Sequence, residues 1–301
     1  MEVQKRIAKN FQAVRTKLAA VQQEITHQET LLAQLQQAIL QEAIQGKLTA
    51  DWRAAHPATE PARELLHRIQ AEKSRLIAAK KLRPEKPLPK ITPEEIPFEI
   101  PKSWEWARLG SITRHTLGKM LDKGKNRGAE MPYLRNLNVR WYEVDLSDLK
   151  TMPFEEHELE KYSVRRGDVL ICEGGHGIGR AAVWNSDEPV MFQKALHRVR
   201  FIGGFFEPEL FVHFLRWSQT SGHIAKYYTG AGIPHLTGDS IHEMPIPLPP
   251  LAEQAAIVAR VAALSGRVRA LAGEIAHTRT HAAHLLQAVL KEAFTPSTVV
   301  S

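Results

Sequence analysis

Residues 37–44 read QAILQEAI, and near the other end of the chain residues 287–294 repeat this stretch as QAVLKEAF. The same offset aligns the two segments back to their starts, where Gln4 falls on Gln254. An internal repeat constrains architecture more strongly than local propensity does. The repeat therefore predicts two equivalent helices, one at each end, that enclose a single non-repeated block.

Both repeated segments place apolar residues at alternating steps of three and four residues, which is the a/d pattern of a coiled coil. The first seam contains Ile7, Val14, Leu18, Val21, Ile25, Leu32 and Leu35, and the second contains Ile257, Val261, Leu264, Val268, Leu271, Ile275 and Leu285. A lone helix of this type, about 50 Å long, is only marginally stable in water. We therefore expect the two helices to pair with each other.

Glycine and proline punctuate the chain between these helices. Gly46 is a suitable terminator for the first helix, and Thr59 can cap a short helix that runs to about Lys81. The prolines that follow predict an extended segment without a core of its own. We predict a spacer helix over residues 1–46, a connector over 47–101, a globular domain over 102–247 and a second spacer helix over 248–295.

Within the globular domain the apolar pattern changes from helical to strand-like. Short apolar runs between turn residues predict strands at residues 169–171, 181–184 and 199–202, and a helical stripe covers residues 205–221. A domain of this length can enclose one core. The predicted fold class is α+β, with one mixed α/β domain flanked by two long helices.

The overall composition favours a polyanionic partner and a reducing environment. The 301 residues carry a formal net charge of +7, and the single cysteine, Cys172, cannot form an internal disulfide. No apolar run approaches the ~18–20 residues of a membrane span, and we see no secretory signal. We therefore expect a cytoplasmic protein that does not associate with membranes.

Charge is unevenly distributed in the globular domain. Basic residues dominate residues 114–140 and acidic residues dominate residues 143–160, which suggests that one face meets an anion while another faces water or protein. The loop at 123–128 suits phosphates, and the alternating stretch at 133–140 can aim side chains at base edges. The alternative is a solvated loop followed by an ordinary strand. The candidate contacts here are Lys119, Lys123, Lys125, Arg127, Arg135, Asn138 and Arg140.

Two other segments are candidates for nucleic-acid contact. The glycine-rich residues 174–180 contain His176 and Arg180, but no helix follows, so a tight turn between strands is the stronger interpretation. Residues 226–236 supply Lys226, Tyr227 and His235, with a core role for the tyrosine equally favoured. Weaker candidates are Gln193, Lys194 and His197. A metal site is not expected, because His277, His281 and His284 are spaced along one helix without further ligands.

Several stretches together resemble the specificity (S) subunit of type I restriction-modification systems. They are MPIPLPPLAEQ at residues 244–254, GDVLI at 167–171, AIL at 38–40 with GKL at 46–48, and IPKSWEW at 100–106. The resemblance implies an antiparallel pairing of the two long helices and a target-recognition domain that reads half of a split DNA site. That family has the order domain, helix, domain, helix, whereas this chain has helix, domain, helix. The resemblance therefore implies a half-length form.

The resemblance also implies partners and a division of labour. The expected partners are double-stranded DNA, methyltransferase (M) subunits and a restriction (R) subunit. S-adenosylmethionine, ATP and Mg are expected on those subunits, with no cofactor and no catalytic residue in this chain, whose sequence lacks an adenine-methylation motif and a Walker A loop. The second half-site must come from a homodimer, from another half-length subunit, or not at all. The alternatives are a coiled-coil adaptor that binds another protein and, less favoured, an RNA-binding arm.

Overall fold

The computed structural model describes residues 2–122, 124–230 and 232–294, which form an α+β chain. Its helices are α1 (Glu2–Ile44), α2 (Ala50–Ala55), α3 (Ala62–Ala78), α4 (Leu109–Ile112), α5 (Glu156–Tyr162), α6 (Pro208–Thr220), α7 (Gly238–Glu243) and α8 (Leu251–Phe294). Its strands are β1 (Glu105–Arg108), β2 (Thr113–Leu117), β3 (Ala129–Leu134), β4 (Val139–Arg140), β5 (Glu143–Val144), β6 (Lys150–Phe154), β7 (Ser163–Val164), β8 (Val169–Cys172), β9 (Ala181–Val183), β10 (Val190–Phe192), β11 (Leu196–Phe201), β12 (Tyr228–Thr229), β13 (His235–Leu236) and β14 (Pro245–Leu248). Short 3-10 segments lie at Lys47–Thr49, Pro93–Glu95, Asn136–Asn138, Gly175–Gly177 and His223–Tyr227. Within these ranges, no helix combines the length and the apolar character needed to cross a membrane.

The chain forms two compact units. The first comprises residues 1–39 and 262–301, so far as these are described, and the second comprises residues 40–261. The second unit includes the connector and the inner ends of α1 and α8. The inner seam residues Ile257 and Val261 are buried there.

The first unit consists of the outer parts of α1 and α8, which run antiparallel. Arg279 Nη2 donates a hydrogen bond to Glu29 Oε2 across the pair. Leu18, Ile25 and Val268 are buried in this unit, as expected for seam positions. The seam residues that are only partly buried are Val14, Leu32, Leu264 and Ile275.

The helix pair leaves part of the predicted seam open. Each of four seam residues exposes more than a third of its surface, and these residues are Val21, Leu35, Leu271 and Leu285. The side chain of Ile7 lies outside the part of the chain that the structure describes. A heptad pattern specifies an apolar face but not the number of helices that cover it. Pairing of the two helices therefore leaves these four seam residues exposed.

Two four-stranded sheets form the body of the second unit. One has the strand order β6-β3-β10-β7, and the other has the antiparallel order β2-β11-β8-β9. Leu134 and Phe192 of the first sheet share a buried cluster with Leu170 and Leu196 of the second. Because β8 is buried along its whole length, its sequence is continuously apolar rather than alternating.

The strands predicted at 169–171, 181–184 and 199–202 correspond to β8, β9 and β11, and the helix predicted at 205–221 corresponds to α6. The predicted cap of the connector helix is wrong. α3 follows Pro61 without a side-chain cap, and Thr59 Oγ1 instead donates to His56 O at 2.9 Å. Proline at this position ends the preceding turn and starts the helix without a capping side chain.

The first turn of α8 is locked to the domain by two buried polar side chains. Glu253, which has no exposed surface, accepts hydrogen bonds from Thr49 Oγ1 at 2.6 Å, Trp104 Nε1 at 2.8 Å and Arg53 Nη1. Gln254 is equally buried, and its Oε1 accepts from Glu207 N at 2.8 Å. The stretch LAEQ thus begins the helix and also fixes it to the connector and to α6.

Arg108 fixes the extended proline-rich segment onto the domain. Its guanidinium, which is almost completely buried, donates to the carbonyls of Pro89, Lys90 and Glu243 and to both oxygens of Glu95. A buried cation is stable only when it is paired and hydrogen-bonded, and these five acceptors meet that need. The segment therefore has no core of its own but is held in one path.

Two histidines of the second sheet, the partly buried His115 of β2 and the buried His197 of β11, form a hydrogen-bonded chain. His115 Nε2 and His197 Nδ1 lie 2.7 Å apart, and His197 Nε2 lies 2.8 Å from Leu236 O. Because a carbonyl only accepts, His197 carries its proton on Nε2 and receives a second bond from His115 Nε2. Burial lowers the pKa of His115 to about 4 and that of His197 to about 3. A further proton on His197 Nδ1 would face another donor.

We expect the free energy of unfolding to fall as pH drops from about 6.5 toward 4. Burial also lowers the pKa of His213 to about 4, so three folded histidines stay neutral where their unfolded counterparts bind protons. Stability therefore rises with pH across this window, by at most about 4 kcal/mol per pH unit when all three titrate. Urea midpoints measured from pH 7.5 to 5 check this.

Replacing one of these histidines provides the control. His213→Phe should reduce the pH slope by about a third, whereas the exposed His176→Gln should leave it unchanged. A flat profile above pH 5 in the wild-type protein would contradict the assignment of neutral buried imidazoles.

Candidate nucleic-acid interface

A glycine-rich turn lies at the end of the sheet where β8 passes to β9. Residues 173–180 make this connection, with a 3-10 turn at Gly175–Gly177. The segment returns directly into a strand, so it is the tight turn that the sequence favoured and not a dinucleotide-type phosphate loop. Such a turn presents its backbone and side chains at the sheet edge.

Backbone contacts place two other segments against this turn. Glu173 N donates to Ala195 O at 3.0 Å, and Leu236 N donates to Glu173 O at 2.8 Å. Gly174 forms an antiparallel bridge with His235. A Cβ on Gly174 would lie 2.9 Å from His235 Nδ1, so the hairpin of β12 and β13 approaches this closely only because the residue is glycine.

The other side of the turn contacts the segment after β3. Cys172 Sγ donates to Asn136 O at 3.6 Å, next to the 3-10 turn at Asn136–Asn138. Lys194 N donates to Lys119 O at 2.8 Å, which brings the start of the 119–128 loop alongside. We refer to the turns at 135–138, 173–180 and 193–195, together with the β12–β13 hairpin, as the loop end.

Lys119 is buried and is not available to a ligand. Its Nζ donates to Pro153 O at 2.8 Å and to Glu158 Oε2, and it packs over the Phe154 ring. A buried ammonium is stable only with such partners. The sequence predicted Lys119 as a nucleic-acid contact, but its burial removes it from that set.

Arg135 and Asn138 stabilise the turn after β3, whereas Arg140 lies in β4 and pairs with the segment after β5. Arg135 Nη2 donates to the carboxylate of Asp148 at 2.8 Å, and Arg140 Nη2 donates to Asp145 Oδ2 at 3.0 Å. The Asn138 amide is buried, accepts from Arg135 N at 2.9 Å and donates to Asp145 O at 2.8 Å. The alternating strand predicted at 133–140 is thus interrupted. Hydrogen bonds from the Asn138 side chain to nearby backbone groups take the place of hydrogen bonds between strands.

The charge of the acidic segment at 143–160 suggested that it forms a separate face. In the structure it does not. Its members Asp145, Asp148 and Glu158 form ion pairs with three of the predicted cations. Lys125 and Arg127 lie outside this network and are exposed. Lys125 Nζ is 3.7 Å from Asp122 Oδ2, an exposed pair of little strength. Lys123 lies outside the described residues.

His176 and Arg180 remain as candidates in the glycine-rich turn. His176 is exposed at its tip, and the partly buried Arg180 packs on Gly177. A Cβ on Gly177 would lie 2.1 Å from Arg180 Nη2. Among the described residues no carboxylate forms an ion pair with Arg180 or with the exposed Lys194. Both positive charges therefore remain unneutralised at the loop end.

The third candidate segment separates into two environments. His235 is exposed in the hairpin beside the glycine turn, and Lys226 is exposed in the preceding 3-10 segment. Tyr227 packs edge-on against the His223 ring at 5.7 Å, and burial raises its pKa to about 12. Tyr227 is thus partly buried against the His223 ring, which favours the packing role that the sequence left as an alternative. The weaker candidate His197 is buried as well.

Two features bear on what the described residues of this region could bind. No group of three or more His, Cys, Asp or Glu side chains among them could hold a metal ion. Burial raises the pKa of the Cys172 thiol to about 11, so it stays neutral at physiological pH and is a poor nucleophile. The arrangement suits recognition of an anionic surface.

Two residues of the loop end lie within segments that the sequence singled out, but the sequence did not predict them as contacts. Leu137 and Ile233 are strongly exposed apolar side chains on the turns that flank the glycine-rich segment. Isolated apolar residues in short segments look like core positions, so no sequence signal marks them. Lys194 was underweighted, because its isolation from acidic partners is visible only in three dimensions.

Comparison with known proteins assigns a family. Residues 101–276 match the type I restriction modification DNA specificity domain. Over 266 residues the chain is 29% identical to the type I restriction enzyme EcoAI specificity subunit of Escherichia coli, covering 86% of this chain and 44% of that protein. Over 247 residues it is 27% identical to the EcoEI specificity subunit of Escherichia coli, covering 77% and 40% respectively. The chain thus spans less than half the length of these two curated relatives.

A solved structure gives independent support for the fold. The HsdS subunit from Thermoanaerobacter tengcongensis matches with a TM-score of 0.52 and 19% identity, covering 98% of this chain and 58% of that one. The fold class predicted from the sequence is confirmed, as is the stated resemblance. Because the family match covers more than half of the 301 residues, the chain belongs to the family of type I restriction modification DNA specificity domains.

Proposed function

We propose that this chain is the non-catalytic DNA-recognition component of a type I restriction-modification complex. In this role it positions an adenine-N6 methyltransferase on one half of a split target site. The observation that carries the proposal is the loop end, where Arg180 and Lys194 carry unneutralised charge beside exposed turns. Phosphates supply the matching negative charge, and exposed loops can reach the grooves.

The proposed contact set is smaller than the one predicted from sequence. It retains Lys125, Arg127, His176, Arg180 and His235, all of which are at least partly exposed in the structure. It adds Lys194 from the neighbouring turn and leaves Lys226 at its margin. Lys119, Arg135, Asn138 and Arg140 are assigned to folding the turns that carry these residues.

Partners supply the chemistry in this proposal. Methyltransferase subunits bind S-adenosylmethionine, and a restriction subunit uses ATP and Mg. The domain division proposed for this task is residues 102–247 for recognition, 1–46 and 248–295 for spacing, and 47–101 as the connector. A cytoplasmic location follows from the same assignment.

We further propose that other helices of the complex cover the exposed seam residues of the helix pair. Val21, Leu35, Leu271 and Leu285 are exposed in the chain alone, and a larger helical bundle would bury them. A second copy is the proposed source of the other half-site, and a two-fold assembly would then read a palindromic split sequence. Light scattering on the chain with and without methyltransferase tests this. A complex that contains only one copy of this chain would contradict the proposal.

Duplex binding as a function of salt tests the proposed function. The chain assembled with its methyltransferase should bind one DNA sequence preferentially, and log K should fall steeply with log salt because counterions are released from phosphates. A coiled-coil adaptor without DNA function would show neither the slope nor the preference. That result would overturn the proposal.

Gly177→Ala should weaken DNA binding severalfold while leaving the fold intact. The added Cβ meets only the flexible end of Arg180, which can move away without disturbing the backbone. The displaced guanidinium then loses its position against a phosphate. The slope of log K against log salt should therefore become shallower by about one phosphate contact. Anisotropy titrations of the variant at two salt concentrations check this. Gly273→Ala, in α8 and outside the loop end, is the control, because its added Cβ would meet no neighbouring atom.

A further inference from the structure

Two exposed apolar side chains flank the glycine turn of the loop end. Leu137 exposes 66% of its surface and Ile233 exposes 67%, more than any other large hydrophobic residue that the structure describes. Single exposed apolar residues are common on proteins. Here, however, the two most exposed ones both belong to the loop end, which also carries the unneutralised Arg180 and Lys194.

The segments that carry these two residues both border the glycine turn. A Cβ on Gly175 would lie 3.9 Å from the side-chain amide of the residue before Leu137. A Cβ on Gly174 would lie 3.5 Å from the carbonyl of the residue after Ile233. Both apolar residues therefore lie on backbone segments that border the turn.

The chemistry of a duplex limits what an apolar side chain can contact there. Phosphates and sugars are bound by charged and polar groups, whereas thymine methyl groups and the faces of base pairs accept Leu and Ile. The cations of the loop end suit the phosphates. Two apolar residues beside them suit the bases between the phosphate strands.

We infer that Leu137 and Ile233 are specificity-determining residues that make apolar contacts with the bases of the target duplex. The inference rests on the proposed function and identifies how part of the sequence is read. The contact is made either with thymine methyl groups or by insertion between neighbouring base pairs, since both offer the same apolar chemistry.

A protein partner fits this surface less well than DNA does. Protein-docking faces present contiguous apolar patches. Leu137 and Ile233 lie on two separate segments that border the turn carrying the exposed His176, and Arg180 and Lys194 add positive charge. Separate apolar points among cations match a duplex, in which bases lie between charged strands.

Selection from a random pool of duplexes provides the test. The wild-type chain, assembled with its methyltransferase, first defines the preferred sequence. On that duplex, Leu137→Ser and Ile233→Ser should each reduce affinity about tenfold, while affinity for unrelated duplexes should change less than about threefold. Ile96→Ser is the matched control, because Ile96 is also exposed but lies in the connector. It should behave as wild type.

Two modified duplexes separate the two kinds of contact. Uracil in place of thymine should lower wild-type affinity, but not that of the serine variants, if a methyl group is contacted. The fluorescence of 2-aminopurine at the contacted step should rise with wild type, but not with the variants, if a side chain inserts. Either pattern supports the inference.

Three results would overturn the inference. The first is that both variants discriminate between sequences as well as wild type does. The second is that neither modified duplex distinguishes the variants from wild type. The third is that the variants fail only to assemble with the methyltransferase, which would make the residues protein contacts. A wild-type complex that selects no sequence at all would remove the proposed function itself, and so is distinguishable from these.

Discussion

Replacing Glu253 by alanine should lower the free energy of unfolding by about 3 kcal/mol. The carboxylate has no exposed surface and accepts hydrogen bonds from Thr49, Trp104 and Arg53. Its removal leaves a buried hydroxyl, an indole N–H and a guanidinium without their acceptor. Breaking a buried ion pair typically costs about 3–5 kcal/mol, and the lower end applies because 22% of the Arg53 side chain reaches solvent.

Urea unfolding followed by tryptophan fluorescence measures this loss. Asp51→Ala is the control, because Asp51 also pairs with an arginine, Arg260, but is largely exposed and should contribute little. Glu253→Gln should fall between the two, since an amide oxygen still accepts but carries no charge. Equal stability of Glu253→Ala and Asp51→Ala would contradict a locking role for the first turn of α8.

Reversing the charge of Arg180 and Lys194 together should reduce DNA affinity on the order of a hundredfold at low salt. Neither residue has an ion pair among the described residues, so Arg180→Glu with Lys194→Glu removes two free cations and adds two repelling anions. The slope of log K against log salt should become shallower by about two phosphate contacts. Fluorescence anisotropy at several salt concentrations measures both quantities.

Lys86→Glu with Lys90→Glu controls for net charge. Both lysines are exposed. They belong to the connector and are far in sequence from the loops that carry Arg180 and Lys194. This double variant has the same formal charge as the loop-end variant. If the two double variants bind DNA with equal affinity, the loss reflects net charge alone, and the proposed position of the DNA-binding surface is wrong.

The long periodic elements were predictable because their signal is local. The terminal helices, α6 and the strands β8, β9 and β11 each carry an apolar pattern that burial imposes residue by residue. Their endpoints were less certain: the structure begins α3 at Ala62, without the cap expected from Thr59. A cap depends on the path of the preceding chain, which periodicity does not report.

The candidate site was harder to predict because its parts come from distant segments. Nothing in the local sequence shows that Asp148 lies within hydrogen-bond distance of Arg135, or that Glu158 neutralises Lys119. A basic run next to an acidic run can form two faces or pair internally, and only the fold decides between these outcomes. The exposure of Leu137 and Ile233 likewise depends on how glycines bring three turns together.

The half-open seam of the helix pair illustrates the same limit. Apolar residues at every a and d position predicted the pairing, and Leu18, Ile25 and Val268 are buried accordingly. The exposure of Val21 and Leu271 shows that the sequence encodes more apolar surface than two helices cover. We interpret the excess as the proposed contact with further helices of the complex.

Mapping N6-methyladenine in cells that express this chain with its methyltransferase tests the central claim most directly. The proposal predicts methylation at one split sequence, which disappears in the Arg180→Glu, Lys194→Glu variant and persists in the Lys86→Glu, Lys90→Glu variant. Methylation at no defined sequence, or an unchanged pattern in the loop-end variant, would contradict the claim that this surface reads DNA.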